Sequence, residues 1–230
     1  MLSSLLNSCP KYETILPSSK TKVWFRPILV KEEKKLVVVQ QFGSGNEIIR
    51  AMIETIQDCF EIKDAHLLPV FDLEYLFLKL RSKSIGSIID LSFVCNETGE
   101  KIKTKINLDE IEVQFHPDHT QEVLLDNQVR IKMRYPNAND FMDIDIGDPD
   151  SLYKLSLKCI DKIQTVSELI DCKDQSEQEL EEFLDNLTPA NFTNITNFFE
   201  TMPKIEKEIQ YVTTDGVNRS LLIKGIKDFF

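Results

Sequence analysis

The only cluster of metal-ligand residue types in the sequence is the tetrapeptide His116-Pro117-Asp118-His119. Two imidazoles and a carboxylate can bind zinc or iron, and an ion held there would activate water for hydrolysis. Pro117 excludes the regular helix that usually presents such histidine pairs, and His66 is far away in sequence. We therefore interpret the tetrapeptide as a surface turn. A metal-dependent enzyme that uses His116, Asp118 and His119 is the alternative.

Two further segments have the composition of ligand-binding loops but lack the required spacing. Aspartates stand at 143, 145, 148 and 150, yet an EF-hand loop that began at Asp143 would place Lys154 where the bidentate glutamate belongs. Gly43-Ser44-Gly45 precedes a helix, but no P-loop lysine follows and the third glycine of a dinucleotide-binding fingerprint is missing. The sequence therefore predicts a protein that is not an enzyme and that has no metal or other cofactor.

Two basic stripes alternate with apolar residues along expected strands. They consist of Lys101, Lys103 and Lys105, and of Arg130, Lys132 and Arg134. Such alternation is typical of the solvated face of a half-buried strand, and the alternative is a nucleic-acid-binding module that grips a phosphate backbone. The 27 Lys and Arg against 38 Asp and Glu give a net charge of −11, which opposes nonspecific attraction to nucleic acid and anionic membranes. We therefore expect neither free nucleic acid nor a membrane as a partner. We also expect no small-molecule substrate.

The segment LLPVFDLEYLFLKLRSKSIG, residues 67–86, predicts a helix with two apolar faces. The first face has core-facing spacing and consists of Leu73, Leu76, Phe77 and Leu80, and the second consists of Phe71, Tyr75 and Leu78. A helix with two apolar faces needs two neighbours, for example the sheet of its own chain and a second protein. The alternative is a central helix that is buried on both sides within one domain.

Positive charge follows the apolar faces of this helix. Arg81 and Lys83 lie in the expected last turn, where cations stabilise the carbonyl end by about 0.3–1 kcal/mol, and Gly86 would close or follow the cap. The alternative is direct recognition of an acidic partner. The candidate partner-binding residues are therefore Phe71, Tyr75, Leu78, Arg81 and Lys83.

The fold expected from these patterns is α+β, with three ranges along the chain. An irregular segment, 1–21, precedes a body of mixed antiparallel sheet and helix, 22–148, in which 22–30 and 35–41 have strand composition. A helix follows the glycines near 43, with Ser44 and Glu47 at capping-box spacing. The segment 136–150 contains five aspartates and no base, and marks the boundary.

The remainder, 149–230, is expected to be mainly helical with a short terminal hairpin. Apolar residues at 152, 155, 159 and 163 have helical spacing, Ser176 and Glu179 match a capping box, and Thr188-Pro189 begins another helix. The turn at Asp215-Gly216 repeats the pattern of residues 93–99, which also predict a hairpin.

The five cysteines are an odd number and none has C-x-x-C spacing, so they indicate reduced packing residues rather than disulfides or a zinc site. The first residues, MLSSLLNSCP, lack the basic leading region of a secretory signal, and no apolar run approaches membrane-spanning length. The sequence predicts a protein that is made and kept in a cytosol.

Three segments carry a family resemblance: KVWFRPILVKEEKKLVVV at 22–39, FDLEYLFLKLRSKSIG at 71–86 and FLDNLTPANFTNITNFFETMP at 183–203. Together they resemble the baseplate hub proteins of T-even-like contractile-tailed bacteriophages, which include a hub subunit and a hub assembly factor. The resemblance implies a non-enzymatic tail assembly protein whose partners are other baseplate hub or tail proteins. It implies a location in the host cytoplasm during assembly and possible incorporation into the virion tail baseplate. The turns at Cys95 and before Gly216 lack the cysteine pairs of some relatives, so it implies no zinc site here.

Overall fold

The computed structural model describes residues 9–42, 45–125, 128–142, 144 and 148–225. These residues contain seven α-helices and eleven β-strands in four sheets. The helices are α1 (Val30–Phe42), α2 (Gly45–Cys59), α3 (Val70–Ser84), α4 (Ala138–Met142), α5 (Ser151–Cys159), α6 (Glu177–Asp185) and α7 (Pro189–Thr201). The strands are β1 (Tyr12–Ile15), β2 (Lys22–Phe25), β3 (Ile88–Val94), β4 (Lys101–Asn107), β5 (Val113–Gln114), β6 (Glu122–Leu124), β7 (Arg130–Met133), β8 (Ile160–Gln164), β9 (Leu169–Asp171), β10 (Lys204–Val212) and β11 (Asn218–Lys224).

The chain divides into two compact units. The first unit contains residues 1–114 and 204–230, and the second contains residues 115–203. The chain therefore leaves the first unit after Gln114 and returns to it at Lys204. The boundary expected between residues 148 and 149 lies inside the second unit.

The net charge is distributed unevenly between the two units. Residues 115–203 contain 7 Lys and Arg against 18 Asp and Glu, a net charge of −11, whereas the ranges of the first unit contain 20 of each and are neutral. All of the net charge of the chain is therefore in the second unit. Any electrostatic preference of the first unit must come from the local arrangement of its charges.

The first unit combines three small antiparallel sheets with three helices. Strands β1 and β2 form one hairpin, β3 and β4 form another, and β10 lies between β11 and β5. Helix α2 packs between α1 and α3, and α3 also contacts β10. The apolar faces of α2 and α3 supply five fully buried side chains: Ile53, Ile56, Leu76, Leu78 and Leu80. The core of this unit is therefore built around these two helices.

The second unit is a four-stranded antiparallel sheet with helices packed on it. Its strand order is β6-β7-β8-β9, and Ile131 of β7 stands opposite Ile163 of β8. Its buried cluster includes these isoleucines together with Cys159 of α5 and Phe198 of α7. The unit therefore has a hydrophobic core of its own, as an independently packed region requires.

The prediction that residues 149–230 are mainly helical is wrong, because four of the eleven strands lie there. The helix expected over 152–163 ends at Cys159, and Ile160–Gln164 continues as β8. Pairing with β7 places Ile160 opposite Met133, and this non-local contact buries both side chains. The terminal hairpin consists of β10 and β11, with strands of nine and seven residues.

Two local assignments near the start of the chain are also wrong. Residues 35–41, expected as a strand, lie in α1, and Tyr12–Ile15 forms β1 within the range expected to be irregular. By contrast, the capping box of Ser176 and Glu179 is confirmed, and Pro189 occupies the first turn of α7 as expected. Ser44 and the aspartates at 143 and 145 lie outside the described residues.

Candidate protein-interaction surface

The second apolar face of α3 is covered by the chain itself. Phe71, Tyr75 and Leu78 are buried, and Tyr75 is only 7% exposed. The expectation that these three side chains form a docking face is therefore corrected in favour of the alternative, a helix buried on both sides. Apolar spacing along a helix identifies faces that need cover, but it does not distinguish cover by the same chain from cover by a partner.

Polar contacts identify part of the chain that covers α3. The fully buried carboxylate of Asp72 accepts a hydrogen bond from the Ser18 backbone N–H at 3.0 Å and another from the Ser18 hydroxyl. Burial raises the pKa of Asp72, and the Ser18 hydrogen bonds oppose that rise. Thr14 of β1 donates to the Tyr75 hydroxyl at 3.4 Å. The N-terminal hairpin and its turn thus lie against α3.

The basic residues at the end of α3 also have intramolecular roles. Lys83 forms an ion pair with Asp109 at 3.1 Å, and Ser82 donates to the same carboxylate at 2.7 Å. The hydrogen bond from Ser82, followed by that from Lys83, lowers the pKa of Asp109. Arg81 is half-buried, burial lowers its pKa, and its carbonyl accepts from the Ile85 N–H at 2.9 Å. This arrangement favours the helix-end interpretation over recognition of a partner.

The helix α1 is anchored through a buried glutamate. Glu32 is buried and its carboxylate accepts from Arg26 at 2.9 Å and from the Leu29 N–H at 2.8 Å. Burial by itself raises the pKa of Glu32, but the hydrogen bonds from Arg26 and Leu29 outweigh it and lower the pKa to about 2. Leu36 and Val39 are half-buried on the same side. One face of α1 is therefore fixed against the rest of the first unit.

The opposite side of α1 exposes an apolar surface. The α1 surface, as we name it, consists of Val30, Val37, Val38 and Phe42, all of which are exposed, Phe42 to 83%. Lysines 31, 34 and 35 are also exposed on this helix. Several exposed apolar side chains on one helix are typical of an interaction site. Sequence reasoning missed this surface because the run LVVV has strand composition. The signal was present, since three consecutive apolar residues on a helix point in directions about 100° apart and cannot all face one core.

A polar network joins the turns of the two long hairpins of the first unit. Arg219 binds both oxygens of Asp215, at 2.9 and 2.8 Å, and its Nε lies 2.8 Å from Glu97 in the other turn. Glu100 accepts from the Thr214 N–H at 2.9 Å. The Arg219 guanidinium holds the pKa of Asp215 well below its usual range. The two turns that resemble each other in sequence are thus in direct contact.

Cys95 directly precedes the turn that contributes Glu97 to this network. Its thiol is buried and accepts a hydrogen bond from the Tyr211 hydroxyl at 3.5 Å. Hydrogen bonds from Thr98, together with that from Tyr211, lower the pKa of Cys95 to about 7. The site has a single thiol, and in the described part of the chain no group of three or more metal-ligating side chains is arranged to hold an ion.

The two histidines of the tetrapeptide have different surroundings. The ring nitrogens of His119 lie 3.0 Å from the hydroxyls of Thr201 and Tyr135, and its ring stacks on Tyr135. The Nδ1 of His116 accepts from the Asp118 N–H at 3.3 Å. Both nitrogens of His119 therefore already have partners inside the second unit, which agrees with a structural role.

The chain matches the family described as T4 bacteriophage base plate protein over residues 9–230, and it therefore belongs to that family. As a baseplate protein it is placed in the phage tail, among other baseplate and tail proteins. No curated protein and no solved structure gives a match. Within the described residues, the helices are too short or too polar to cross a membrane.

Proposed function

We propose that the chain is a non-enzymatic subunit or assembly factor of the contractile-tail baseplate hub and that it acts through protein–protein contacts. Family membership supports a baseplate role, and the resemblance in 22–39, 71–86 and 183–203 supports the hub as its location. Its partners are other hub or tail proteins, which it meets in the host cytoplasm during assembly. It needs no cofactor, small-molecule substrate, membrane or free nucleic acid.

The observation that carries this proposal is the α1 surface. Val30 and Val37 lie on the side of α1 opposite Glu32, Val38 and Phe42 lie on its flank, and all four side chains are exposed to solvent. Burying apolar surface contributes roughly 25 cal/mol per Å², and a partner that covers this surface would gain that free energy. Lys31, Lys34 and Lys35 are exposed among these apolar side chains, so a partner would also meet positive charge on this helix.

The α3 residues have a supporting role in this proposal. Helix α3 packs on α2, and α2 packs on α1. Phe71, Tyr75 and Leu78 therefore maintain the layer on which α1 lies, while the exposed side chains of α1 meet the partner. Arg81 and Lys83 act at the end of α3, where the Lys83 ion pair with Asp109 fixes the neighbouring turn.

Substitution of Phe42 tests the proposal. Phe42→Ser should leave the free energy of unfolding within about 0.5 kcal/mol, since the side chain is exposed. It should weaken co-purification with identified baseplate proteins from infected cells, because truncating an aromatic anchor commonly costs about 2 kcal/mol at an interface. Val166→Ser is the matched control, because Val166 is also 83% exposed and lies in the second unit.

The readout is infection complementation, with captured proteins identified by mass spectrometry. Normal baseplate assembly with Phe42→Ser and with the double variant Val38→Ser, Phe42→Ser would contradict the role of the α1 surface. Mass spectrometry of purified virions beside the infected lysate separates the two forms of the proposal. A subunit remains in the virion, whereas an assembly factor is found only in the lysate.

A further inference from the structure

A row of three lysines lies on the outer face of β4. Lys101, Lys103 and Lys105 are exposed, whereas Ile102 and Ile106, which alternate with them, are buried and Thr104 is half-buried. Side chains two residues apart on a strand are separated by about 6.6–6.8 Å. The three ammonium groups, which we name the lysine row, therefore extend along one face of a single strand.

Within the described part of the chain, the lysine row forms no ion pair. Lys79 and Lys83 of the same unit lie 3.2 and 3.1 Å from the carboxylates of Glu112 and Asp109. For the lysine row, by contrast, no carboxylate lies within ion-pair distance among the described residues, although Asp90 stands opposite Lys105 in the ladder. A neutral unit thus places three cations on one strand, and only Lys105 has a carboxylate, that of Asp90, as its cross-strand neighbour.

The backbone groups of the same lysines point away from β3. In an antiparallel pair, hydrogen-bonded and non-hydrogen-bonded residue pairs alternate. The Cys95 N–H donates to Glu100 at 2.8 Å, and the Leu108 N–H donates to Ser87 at 2.7 Å, so these two pairs set the alternation at both ends of the hairpin. Each lysine of the row then falls in a non-hydrogen-bonded pair. Its N–H and C=O are directed to the outer edge of β4.

That outer edge has no strand beside it. The sheet consists of β3 and β4 alone, and no backbone hydrogen bond from β4 reaches another strand among the described residues. A free edge with outward N–H and C=O groups is a template for an added strand, unless its charges repel the incoming chain. The edge of β4 therefore offers hydrogen bonds to a strand of suitable charge.

We propose that β4 receives an extended acidic segment of a partner protein as an added strand, with carboxylates at alternate positions beside the lysine row. This inference rests on the proposed function in protein–protein assembly and specifies one partner. Side chains on neighbouring strands lie about 4.5–5.5 Å apart, so each carboxylate of the segment would meet an ammonium group. A second copy of β4 would place lysine beside lysine, which is unfavourable. The lysines thus exclude self-pairing and select an acidic strand.

Peptide titration of the full chain tests the proposal. The probe is a fluorescent peptide in which glutamate and valine alternate, and the matched peptide carries lysine in place of glutamate. At low salt the glutamate peptide should bind and the lysine peptide should not. Lys103→Glu should weaken binding of the glutamate peptide about tenfold or more. Lys63→Glu is the matched control, because Lys63 is an exposed lysine outside β4, and it should change binding by less than about twofold.

A second pair of variants separates strand addition from simple charge attraction. Lys103→Gln removes the charge and keeps the outward N–H, whereas Lys103→Pro removes both without deleting a hydrogen bond to β3. Strand addition predicts that Lys103→Pro weakens binding at least about fivefold more than Lys103→Gln. Circular dichroism of each variant establishes that it is folded. If Lys103→Pro does not fold, binding of the glutamate and lysine peptides to the original chain and to Lys103→Gln still shows whether binding requires the lysine charge.

Three results would overturn the inference. The first is equal binding of the glutamate and lysine peptides. The second is that Lys103→Pro and Lys103→Gln weaken binding of the glutamate peptide equally, and that single-stranded DNA binds as tightly as the peptide. This result would indicate a surface that binds polyanions in general. The third is that neither peptide binds at low salt and that Lys103→Val forms dimers in sedimentation. In that case the lysines would serve only to prevent pairing of β4 with a second copy of the chain. None of these results depends on the α1 surface. Failure of strand addition at β4 is therefore distinguishable from failure of the proposed function in the Phe42 test.

Discussion

Leu78→Ala decides whether the second apolar face of α3 is internal to the chain. Leu78 is 0% exposed and lies on the same face as Phe71 and Tyr75. If this face belonged to a partner-binding surface, truncation would weaken assembly and leave the isolated chain intact. If it belongs to the core, truncation must destabilise the first unit.

The magnitude follows from the buried volume. Replacing Leu78 by alanine removes an isopropyl group of three carbon atoms, which forfeits a transfer free energy of roughly 2.4 kcal/mol and leaves a cavity. We therefore expect the free energy of unfolding of the first unit to fall by about 2–5 kcal/mol, which is the usual range for buried leucine to alanine. The matched control is Leu67→Ala, because Leu67 is 67% exposed, and it should change the free energy by less than about 0.5 kcal/mol.

Urea denaturation followed by tryptophan fluorescence is the appropriate assay. Trp24 is the only tryptophan of the chain and lies in β2, so its signal reports on the first unit. The midpoint should shift to lower urea for Leu78→Ala with an unchanged slope. A loss below about 1 kcal/mol that matches Leu67→Ala would refute the buried arrangement of α3.

Three further perturbations test individual contacts. Ser18→Ala should destabilise the first unit by about 1–3 kcal/mol in the same denaturation assay, because it leaves a buried oxygen of Asp72 without its hydroxyl donor. Burial lowers the pKa of His119, so as the pH falls the unfolded state binds a proton before the folded state does. The free energy of unfolding should therefore fall as the pH drops below about 6.5, and His119→Gln should remove this pH dependence. The pKa of Asp215 is also lowered by Arg219, so its contribution is present above about pH 3.8 and is lost as pH falls further, and Arg219→Gln should weaken that acid sensitivity.

Each of these predictions has a matched control. Ser19→Ala changes the neighbouring exposed serine and should have little effect; equal losses for Ser18→Ala and Ser19→Ala would contradict the role of the Asp72 contact. His116 is exposed, and a pH profile that changes with His116→Gln and not with His119→Gln would contradict the assignment to the half-buried His119 ring. Arg130 forms an exposed ion pair with Glu122, so Arg130→Gln should leave the acid limb of the stability profile unchanged.

Local signals in the sequence were sufficient for several elements. The helical spacing of Leu73, Leu76 and Leu80 predicts α3, and the capping pair Ser176 and Glu179 correctly predicts the start of α6. These features depend on residues within a few positions of each other, so hydrogen bonding and side-chain spacing along one segment determine them. The family resemblance was likewise readable from the residues alone.

Only the tertiary structure decided which apolar faces remain exposed. The β-branched run at 37–39 favours a strand locally, yet Glu32, Leu36 and Val39 make contacts on one side that hold α1 as a helix. The same packing leaves Phe42 in solvent, whereas Tyr75, equally apolar in pattern, is covered by the N-terminal hairpin. Burial depends on segments far apart in the chain, and spacing along one helix contains no information about them. The sequence by itself therefore determined which surfaces need a neighbour, and the fold determined which of them already have one.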